Sequence, residues 1–130
     1  MIDTISKLLL QELQRDGRLS FRELGDRVGL SPPAVAERVR RLERDGVITG
    51  YQAIVDPAEL GYPMLAIVRV HSAGPKAAAV DELAECHRVT GSESHVLRVR
   101  IRDVAHLGDL VERFWDYGDT ITNIVTSTPV

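Results

Sequence analysis

The sequence predicts an α+β fold in which a helical N-terminal part precedes a β-rich C-terminal part. Over residues 1–46 the apolar residues recur every three or four positions, which is the period of a helix that packs on one face. From residue 64 onwards apolar and polar residues alternate, which is the period of a half-buried strand. Between these parts, residues 56–63 contain Asp, Gly and two Pro residues, which indicates a turn-rich linker.

The first two helices are predicted from their ends. The first covers residues 3–16 and stops at Gly17, because glycine readily takes the left-handed conformation that ends a helix. Ser20 begins the second helix, with Glu23 three residues later. This spacing is a capping box, in which each side chain satisfies a backbone N–H group of the first turn. Gly29 ends the second helix.

The third helix begins at Ser31, a good N-cap, and proline suits its first position because no N–H group is needed there. It ends at Gly46, and residues 47–48 and 51–55 then have the composition of strands. Its buried stripe consists of Val35, Val39 and Leu42. On a wheel of about 100° per residue, the other arginines lie opposite this stripe, whereas Arg38 lies nearer the buried edge.

Three short helices with a glycine in the turn between the second and third indicate a winged-helix-like helix-turn-helix. In such modules the second helix of the pair enters the major groove of double-stranded DNA. Short side chains at the start of the third helix let its backbone approach the bases closely. The arginines that follow suit phosphates or guanine edges. N–H groups near Ser31 are expected to hold a phosphate. The candidate DNA-binding residues are Ser31, Pro33, Ala34, Glu37, Arg38, Arg40 and Arg41.

Charge is distributed unevenly between the two parts. The formal net charge of −3 by itself argues against a nucleic-acid partner. Residues 1–50, however, hold 9 Lys/Arg and 8 Asp/Glu, whereas residues 51–130 hold 7 and 11. Four of the nine basic residues fall between Arg38 and Arg44. This local field favours DNA binding over the alternative, which is a solvated face on a three-helix bundle.

The C-terminal part is predicted to have the order strand, helix, strand, strand, helix, strand, which is the ferredoxin-like βαββαβ arrangement. The predicted strands are residues 64–71, 86–90, 95–102 and 121–128, and the predicted helices are residues 75–83 and 103–115. Helices are expected to cover the sheet face that carries Ala66, Val68, Val70, Leu97, Val99 and Ile101. The open face carries Leu65, Ile67, Arg69, Arg98 and Arg100, and its apolar groups favour self-association.

Several other functions are not expected. RNA-recognition domains stack bases on strand aromatics, which strands 64–71 and 95–102 lack. The sequence shows no catalytic residues and no phosphate loop, and neighbouring Cys86 and His87 point to opposite faces of a strand, so no metal or cofactor is expected. No apolar run approaches the roughly 20 residues that span a bilayer, and no export signal is evident. The single cysteine fits a reducing cytoplasm.

Several stretches resemble the leucine-responsive regulatory protein (Lrp/AsnC, feast/famine) family of transcription factors. In the first part they are residues 13–18 (LQRDGR), 23–31 (ELGDRVGLS), 38–48 (RVRRLERDGVI), 51–57 (YQAIVDP) and 60–61 (LG). In the second part they are residues 85–91 (ECHRVTG), 97–99 (LRV), 117–118 (YG) and 126–130 (TSTPV). The resemblance therefore covers nearly the whole chain.

The resemblance implies a DNA-binding transcriptional regulator with three segments: a helix-turn-helix domain at 1–50, a hinge strand and linker at 51–63, and a ligand-sensing, oligomerising domain at 64–130. Family members form dimers, commonly octamers, and bind amino acids or related metabolites near one turn of the second domain. The effector-binding residues that the resemblance implies are Thr90, Gly91, Ser92, Glu93, Ser94, His95, Thr120 and Thr122. The chain departs from the family pattern in its short first helix of the sensing domain and in the residues of this turn.

The chemistry of these residues is compatible with an amino-acid ligand. N–H groups at Gly91 and Ser92 can bind a carboxylate, Glu93 can pair with an ammonium group, and the Ser and Thr hydroxyls can donate or accept. The alternative is a plain hairpin turn with a solvated Glu93. For the whole chain, the alternatives are an architectural DNA-binding protein without an effector and an amino-acid-binding module without specific DNA recognition.

Overall fold

The structure is a computed structural model that describes residues 1–71, 82–114 and 118–129. It divides into two compact units, Met1–Ile54 and Val55–Val130. The helices of the first unit are α1 (Thr4–Arg15), α2 (Phe21–Val28) and α3 (Pro32–Arg44). The elements of the second unit are β1 (Met64–Val70), β2 (Leu83–Arg88), β3 (His95–Ile101), α4 (Val104–Phe114) and β4 (Thr120–Ile124).

The second and third helices begin where their predicted capping residues place them. Ser20 Oγ accepts from the Glu23 backbone N–H at 3.1 Å, and Glu23 Oε2 accepts from the Ser20 N–H at 2.8 Å, which confirms the capping box. Ser31 is the N-cap of α3, as predicted. Each helix contributes to a small buried core, which consists of Leu9, Leu24, Val35 and Val39. This core holds α3 against α1 and α2 with its opposite face in solvent.

The turn between α2 and α3 depends on a very close backbone approach. A Cβ atom at Gly25 would lie 2.3 Å from the backbone carbonyl oxygen of Leu30. The N–H groups of Gly29 and Leu30 both donate to the Gly25 carbonyl oxygen, at 2.8 and 3.0 Å. Gly29 ends α2 in the left-handed region, with φ at +75°. Only a residue without a side chain at Gly25 lets the chain turn back this tightly.

The strands predicted at residues 47–48 and 51–55 do not form. The N–H groups of Val47 and Ile48 instead donate to the Leu42 carbonyl oxygen, at 2.9 and 3.1 Å, and so complete the C-terminal end of α3. Residues 51–55 have no neighbouring strand in the described parts of the chain, and a strand needs such a neighbour for its hydrogen bonds. The boundary between the two units, after Ile54, falls within the predicted hinge.

The four strands of the second unit form one antiparallel sheet in the order β2-β3-β1-β4. β2 begins at Leu83, three residues before its predicted start. Its first residue pairs with Val99 of β3, and a bulge between Leu83 and Glu85 shifts the register before the next pair. β4 ends at Ile124 rather than at residue 128; its last ladder pair is with Ala66 of β1, and one further hydrogen bond follows, from the Val125 N–H to the Leu65 carbonyl oxygen at 2.9 Å. The helix predicted at residues 75–83 lies outside the described residues, except for Glu82 in a turn and Leu83 in β2.

The two faces of the sheet are as predicted. The six residues of the covered face are fully buried: Ala66, Val68, Val70, Leu97, Val99 and Ile101. Leu107, Leu110 and Phe114 of α4 pack with them in one core. The open face is only half-buried, at Leu65, Ile67, Arg69, Arg98 and Arg100. No helix in the described ranges is long and apolar enough to cross a membrane.

A buried histidine near the start of α4 is held in one tautomer. His106 Nδ1 accepts from the Arg102 backbone N–H at 3.0 Å, so the ring proton lies on Nε2 and is donated to Glu82 Oε1 at 2.8 Å. Arg113 donates to the same oxygen, also at 2.8 Å. Burial opposes the ionisation of Glu82, but these two hydrogen bonds outweigh it and lower the pKa of Glu82 to about 2.

We expect Gly25→Ala to destabilise the first unit by about 1–3 kcal/mol, because the new methyl group must displace the Leu30 backbone. Gly108→Ala is the matched control, since Gly108 lies within α4 and a Cβ atom there meets nothing within 4 Å. Alanine should stabilise that position by up to about 1 kcal/mol. Denaturant unfolding at one protein concentration measures both effects. A Gly25→Ala variant as stable as the wild type would contradict this account of the turn.

We expect Glu82→Gln to lower the free energy of unfolding at neutral pH by about 1–3 kcal/mol, because the carboxylate shared by His106 and Arg113 is lost. The folded-state pKa of Glu82, about 2, lies below its ordinary value of 4.5, so the stabilisation is complete above pH 4.5 and is lost as the pH falls towards 2. Unfolding measured across this interval should therefore show the wild type and the variant converging. A difference in stability that does not change with pH would refute this role of Glu82.

Candidate DNA interface and ligand-binding turn

The N-terminal end of α3 presents short side chains to solvent. Ser31 and Pro33 are exposed, and Ala34 is half-buried. Ser31 Oγ accepts from the Ala34 N–H at 3.4 Å, and the Ser31 carbonyl oxygen accepts from the Val35 N–H at 3.0 Å. The two prolines of the first turn have no N–H group. Two N–H groups of this turn are therefore absent and those of Ala34 and Val35 donate within the chain, and the expected phosphate contact near Ser31 stays a prediction.

Further along α3, one carboxylate lies among the exposed arginines. Glu37 Oε1 is 3.6 Å from a guanidinium nitrogen of Arg41 and 3.7 Å from one of Arg44. All three side chains are more than half exposed, so these ion pairs are weak and both arginines can be drawn to another anion. Arg40 is also exposed. Together these side chains form a solvent-facing surface on which basic groups outnumber the single acid.

Arg38 differs from its neighbours on α3. Its side chain is only 28% exposed, and its Nη1 donates to Asp3 Oδ2 at 2.6 Å and to Ser6 Oγ at 3.3 Å. These contacts give Arg38 a structural role that the sequence analysis missed. The only signal for it was the position of Arg38 near the buried edge of the helical wheel. Its role in DNA binding stays a prediction.

The segment after α3 borders a groove of about 770 Å³ within the first unit. The C-terminal half of α1 and residues 47–54 line this groove. The Tyr51 hydroxyl donates to Glu43 Oε1 of α3 at 2.8 Å and so holds the segment against the helix. Partial burial, followed by the hydrogen bond to Glu43, raises the pKa of Tyr51 to about 12. The sequence analysis did not single out this tyrosine.

The sheet register brings part of the predicted effector-binding set to one end of the second unit. Val70 of β1 pairs with His95 of β3 on one side and with Thr120 of β4 on the other. Thr122 pairs with Val68 and so lies on the covered face, one row further along. The Thr122 Oγ1 atom is buried and has no hydrogen-bond partner among the described residues.

The turn before β3 is held to the end of β1 through Ser94. The Ser94 hydroxyl donates to the His71 carbonyl oxygen at 2.8 Å. Its oxygen lies 2.7 Å from His95 Nδ1, and because the hydroxyl has only one hydrogen, His95 Nδ1 must be the donor. The Nε2 atom of neutral His95 is then an acceptor. The Val89 N–H donates to the Ser94 carbonyl oxygen at 2.8 Å and closes the turn.

The Ser92 hydroxyl donates to the Glu93 carboxylate at 2.8 Å and lowers the pKa of Glu93. The charge of Arg69 and the nearby His71 lower this pKa further, by smaller amounts. Glu93 is therefore a carboxylate in this turn. Thr90 and Gly91 are exposed at the tip. The structure therefore groups Glu93, Ser94, His95 and Thr120 at one end of the sheet and leaves the tip of the turn outside this group.

In the described residues, no three His, Cys, Asp or Glu side chains are grouped to hold a metal ion. Cys86 pairs with Leu97 and His87 pairs with Val96, so their side chains lie on opposite faces of the sheet, as predicted.

Two family models match the chain in the expected order. A model described as a winged helix-turn-helix DNA-binding domain matches residues 2–49, and a model described as the Lrp/AsnC ligand binding domain matches residues 66–130. The leucine-responsive regulatory protein of Haemophilus influenzae is 38% identical, over 95% of this chain and 83% of its own length. The transcriptional regulator LrpA of Mycobacterium tuberculosis is also 38% identical, over 86% of this chain and 80% of its own length.

Solved structures agree with these matches. LrpC of B. subtilis aligns with a TM-score of 0.91 at 31% identity, over 100% of this chain and 98% of that structure. The feast or famine regulatory protein of M. tuberculosis, solved in complex with L-methionine, aligns with a TM-score of 0.88 at 36% identity, over 100% of this chain and 95% of that structure.

Proposed function

The chain belongs to the Lrp/AsnC family of DNA-binding transcriptional regulators, and we propose that α3 contacts the major groove of double-stranded DNA while the end of the sheet near residues 90–95 binds an amino acid. The observation that carries the first proposal is the order of side chains along the exposed face of α3, which are short at its N-terminus and basic beyond it. The proposed DNA contacts are Ser31, Pro33, Ala34, Glu37, Arg40 and Arg41.

Each kind of side chain on α3 has a distinct role in this proposal. Ser31, Pro33 and Ala34 let the helix backbone approach the base edges, and Ala34 offers an apolar contact to a thymine methyl group. Arg40 and Arg41 bind phosphate oxygens or a guanine edge. Glu37 repels phosphates, and the groups on DNA that it binds favourably are base amino groups, such as that of cytosine. Glu37 therefore favours some sequences over others.

For the ligand, we propose that Glu93 pairs with the ammonium group of an amino acid, while Ser94, His95, Thr120 and Thr122 supply polar contacts beside it. Thr90, Gly91 and Ser92 complete the predicted set at the tip of the turn. The presence of L-methionine in the M. tuberculosis relative supports the amino-acid class. The buried, unpartnered hydroxyl of Thr122 also supports it, because a buried polar group without a partner is costly unless something binds it.

We also propose that the protein acts in the cytoplasm as a homo-oligomer, a dimer or an octamer, and has no catalytic activity. The half-buried apolar residues on the open face of the sheet support self-association. The small excess of positive charge in residues 1–50 supports it as well, because one such domain binds DNA weakly and several linked domains bind cooperatively.

We expect Arg40→Ala and Arg41→Ala each to weaken binding to DNA from upstream of the gene by about 1–3 kcal/mol in a gel shift or anisotropy titration. Loss of a phosphate contact should also reduce the slope of log affinity against log salt concentration by about one. Arg102→Ala, an exposed arginine of the other unit, is the control and should leave affinity unchanged. Unchanged binding by both α3 variants, with normal oligomer size, would refute the assignment.

We expect Thr122→Val to weaken amino-acid binding about 3–30-fold while leaving thermal stability unchanged or higher, because valine has the same shape and the hydroxyl has no partner among the described residues. Calorimetry with a panel of amino acids that includes L-methionine measures the binding. Thr49→Val, at an exposed position of the other unit, is the control. If the wild-type protein binds DNA of any sequence, and if no amino acid changes this binding, the protein is instead an architectural DNA-binding protein.

A further inference from the structure

The Asp3 carboxylate joins the first and third helices of the N-terminal unit. Asp3 Oδ1 accepts from the Ser6 N–H at 2.8 Å and caps α1, while Oδ2 accepts from Arg38 of α3 at 2.6 Å. Arg38 also donates to Ser6 Oγ at 3.3 Å, and Ser6 is buried, with 8% of its surface exposed. Arg38 and Ser6 hold the pKa of Asp3 well below its usual range, so the carboxylate is ionised at any pH at which the protein is used.

The apolar core between these helices is small. α1 contributes the buried Leu9, with half-buried Ile5 and Leu13 packed against the core, and α3 contributes Val35 and Val39. Apolar contact is non-directional, and small side chains tolerate rotation of one helix against another. A charge-assisted hydrogen bond is short and directional, so the pair of Asp3 and Arg38 restricts the rotation of α3 about its axis.

Resting on the proposed function of α3 in DNA binding, we propose that Arg38 is a positioning residue and not a DNA contact. Its ion pair with Asp3 sets the rotation of α3, so that Arg40 and Arg41 face the DNA. The competing possibility is that Asp3 occupies Arg38 only until a DNA phosphate replaces it.

Asp3→Asn separates these two possibilities by the sign of its effect. Asparagine is as good an N-cap as aspartate, so α1 keeps its cap, while the negative charge that orients Arg38 is lost. The variant gains one unit of positive charge, which by Coulomb attraction alone strengthens binding to any DNA. If Arg38 positions α3, we expect the opposite for the operator, which is the DNA sequence upstream of the gene that the protein recognises. Affinity for the operator should fall about 3–10-fold, while affinity for non-operator DNA stays unchanged or rises.

The complete experiment measures operator and non-operator affinity over a range of salt concentrations for the full chain. Arg38→Gln should lower the ratio of operator to non-operator affinity as much as Asp3→Asn does. The variant that combines both changes should lower it no further, because each single change breaks the same interaction. Arg38→Lys, which can still pair with Asp3, should restore part of the ratio. Asp26→Asn removes an equal charge from an exposed position of α2 and should not lower the ratio.

Two results would overturn the proposal. If Asp3→Asn tightens operator binding while Arg38→Gln reduces the salt slope by about one, Arg38 binds a phosphate. If every variant loses affinity for both DNAs equally and in step with its folded fraction, the pair acts only on stability. Failure of the proposed DNA-binding role of α3 can be told apart from failure of this proposal, because in the first case Arg40→Ala and Arg41→Ala would also bind the operator normally.

Discussion

The distance between helix α2 and the chain that follows it is set at Gly25, where the backbone carbonyl of Leu30 occupies the space of a side chain. This approach fixes where the turn ends and therefore where Ser31 caps α3. The side chains of α3 that face solvent, and those that enter the core, follow from this starting point. The helix-turn-helix of this protein thus depends on a backbone contact that a single methyl group would disturb.

Acidic residues of the N-terminal unit determine which of its arginines are held in place and which are free to bind an anion. Asp3 engages Arg38 at the buried edge of α3, whereas Glu37 lies between two exposed arginines at distances too long for strong ion pairs. The first contact is directional and partly shielded from water, while the second is weak and exchangeable. The unit therefore combines one arginine held in place with several available to an anion, although its net charge is close to zero.

The second unit gathers its candidate ligand groups through strand register rather than through proximity in sequence. His95 and Thr120 are 25 positions apart in the numbering, and they lie at the same end of the sheet, on either side of β1, because both pair with Val70. Ser94 then ties the turn to the end of β1 through the His71 carbonyl oxygen. The methionine-bound structure from M. tuberculosis aligns over 100% of this chain, and so includes this domain.

The sequence by itself determined the two-part α+β organisation, the capped starts of the N-terminal helices, the covered face of the sheet and the family. Caps, helical spacing and strand alternation are local signals, and a strong local preference survives folding. The tertiary structure alone decided that residues 51–55 form no strand, where β2 begins and β4 ends, and that Arg38 pairs with Asp3. Each of these outcomes depends on a partner that the local sequence does not contain: a neighbouring strand, or a carboxylate 35 positions away.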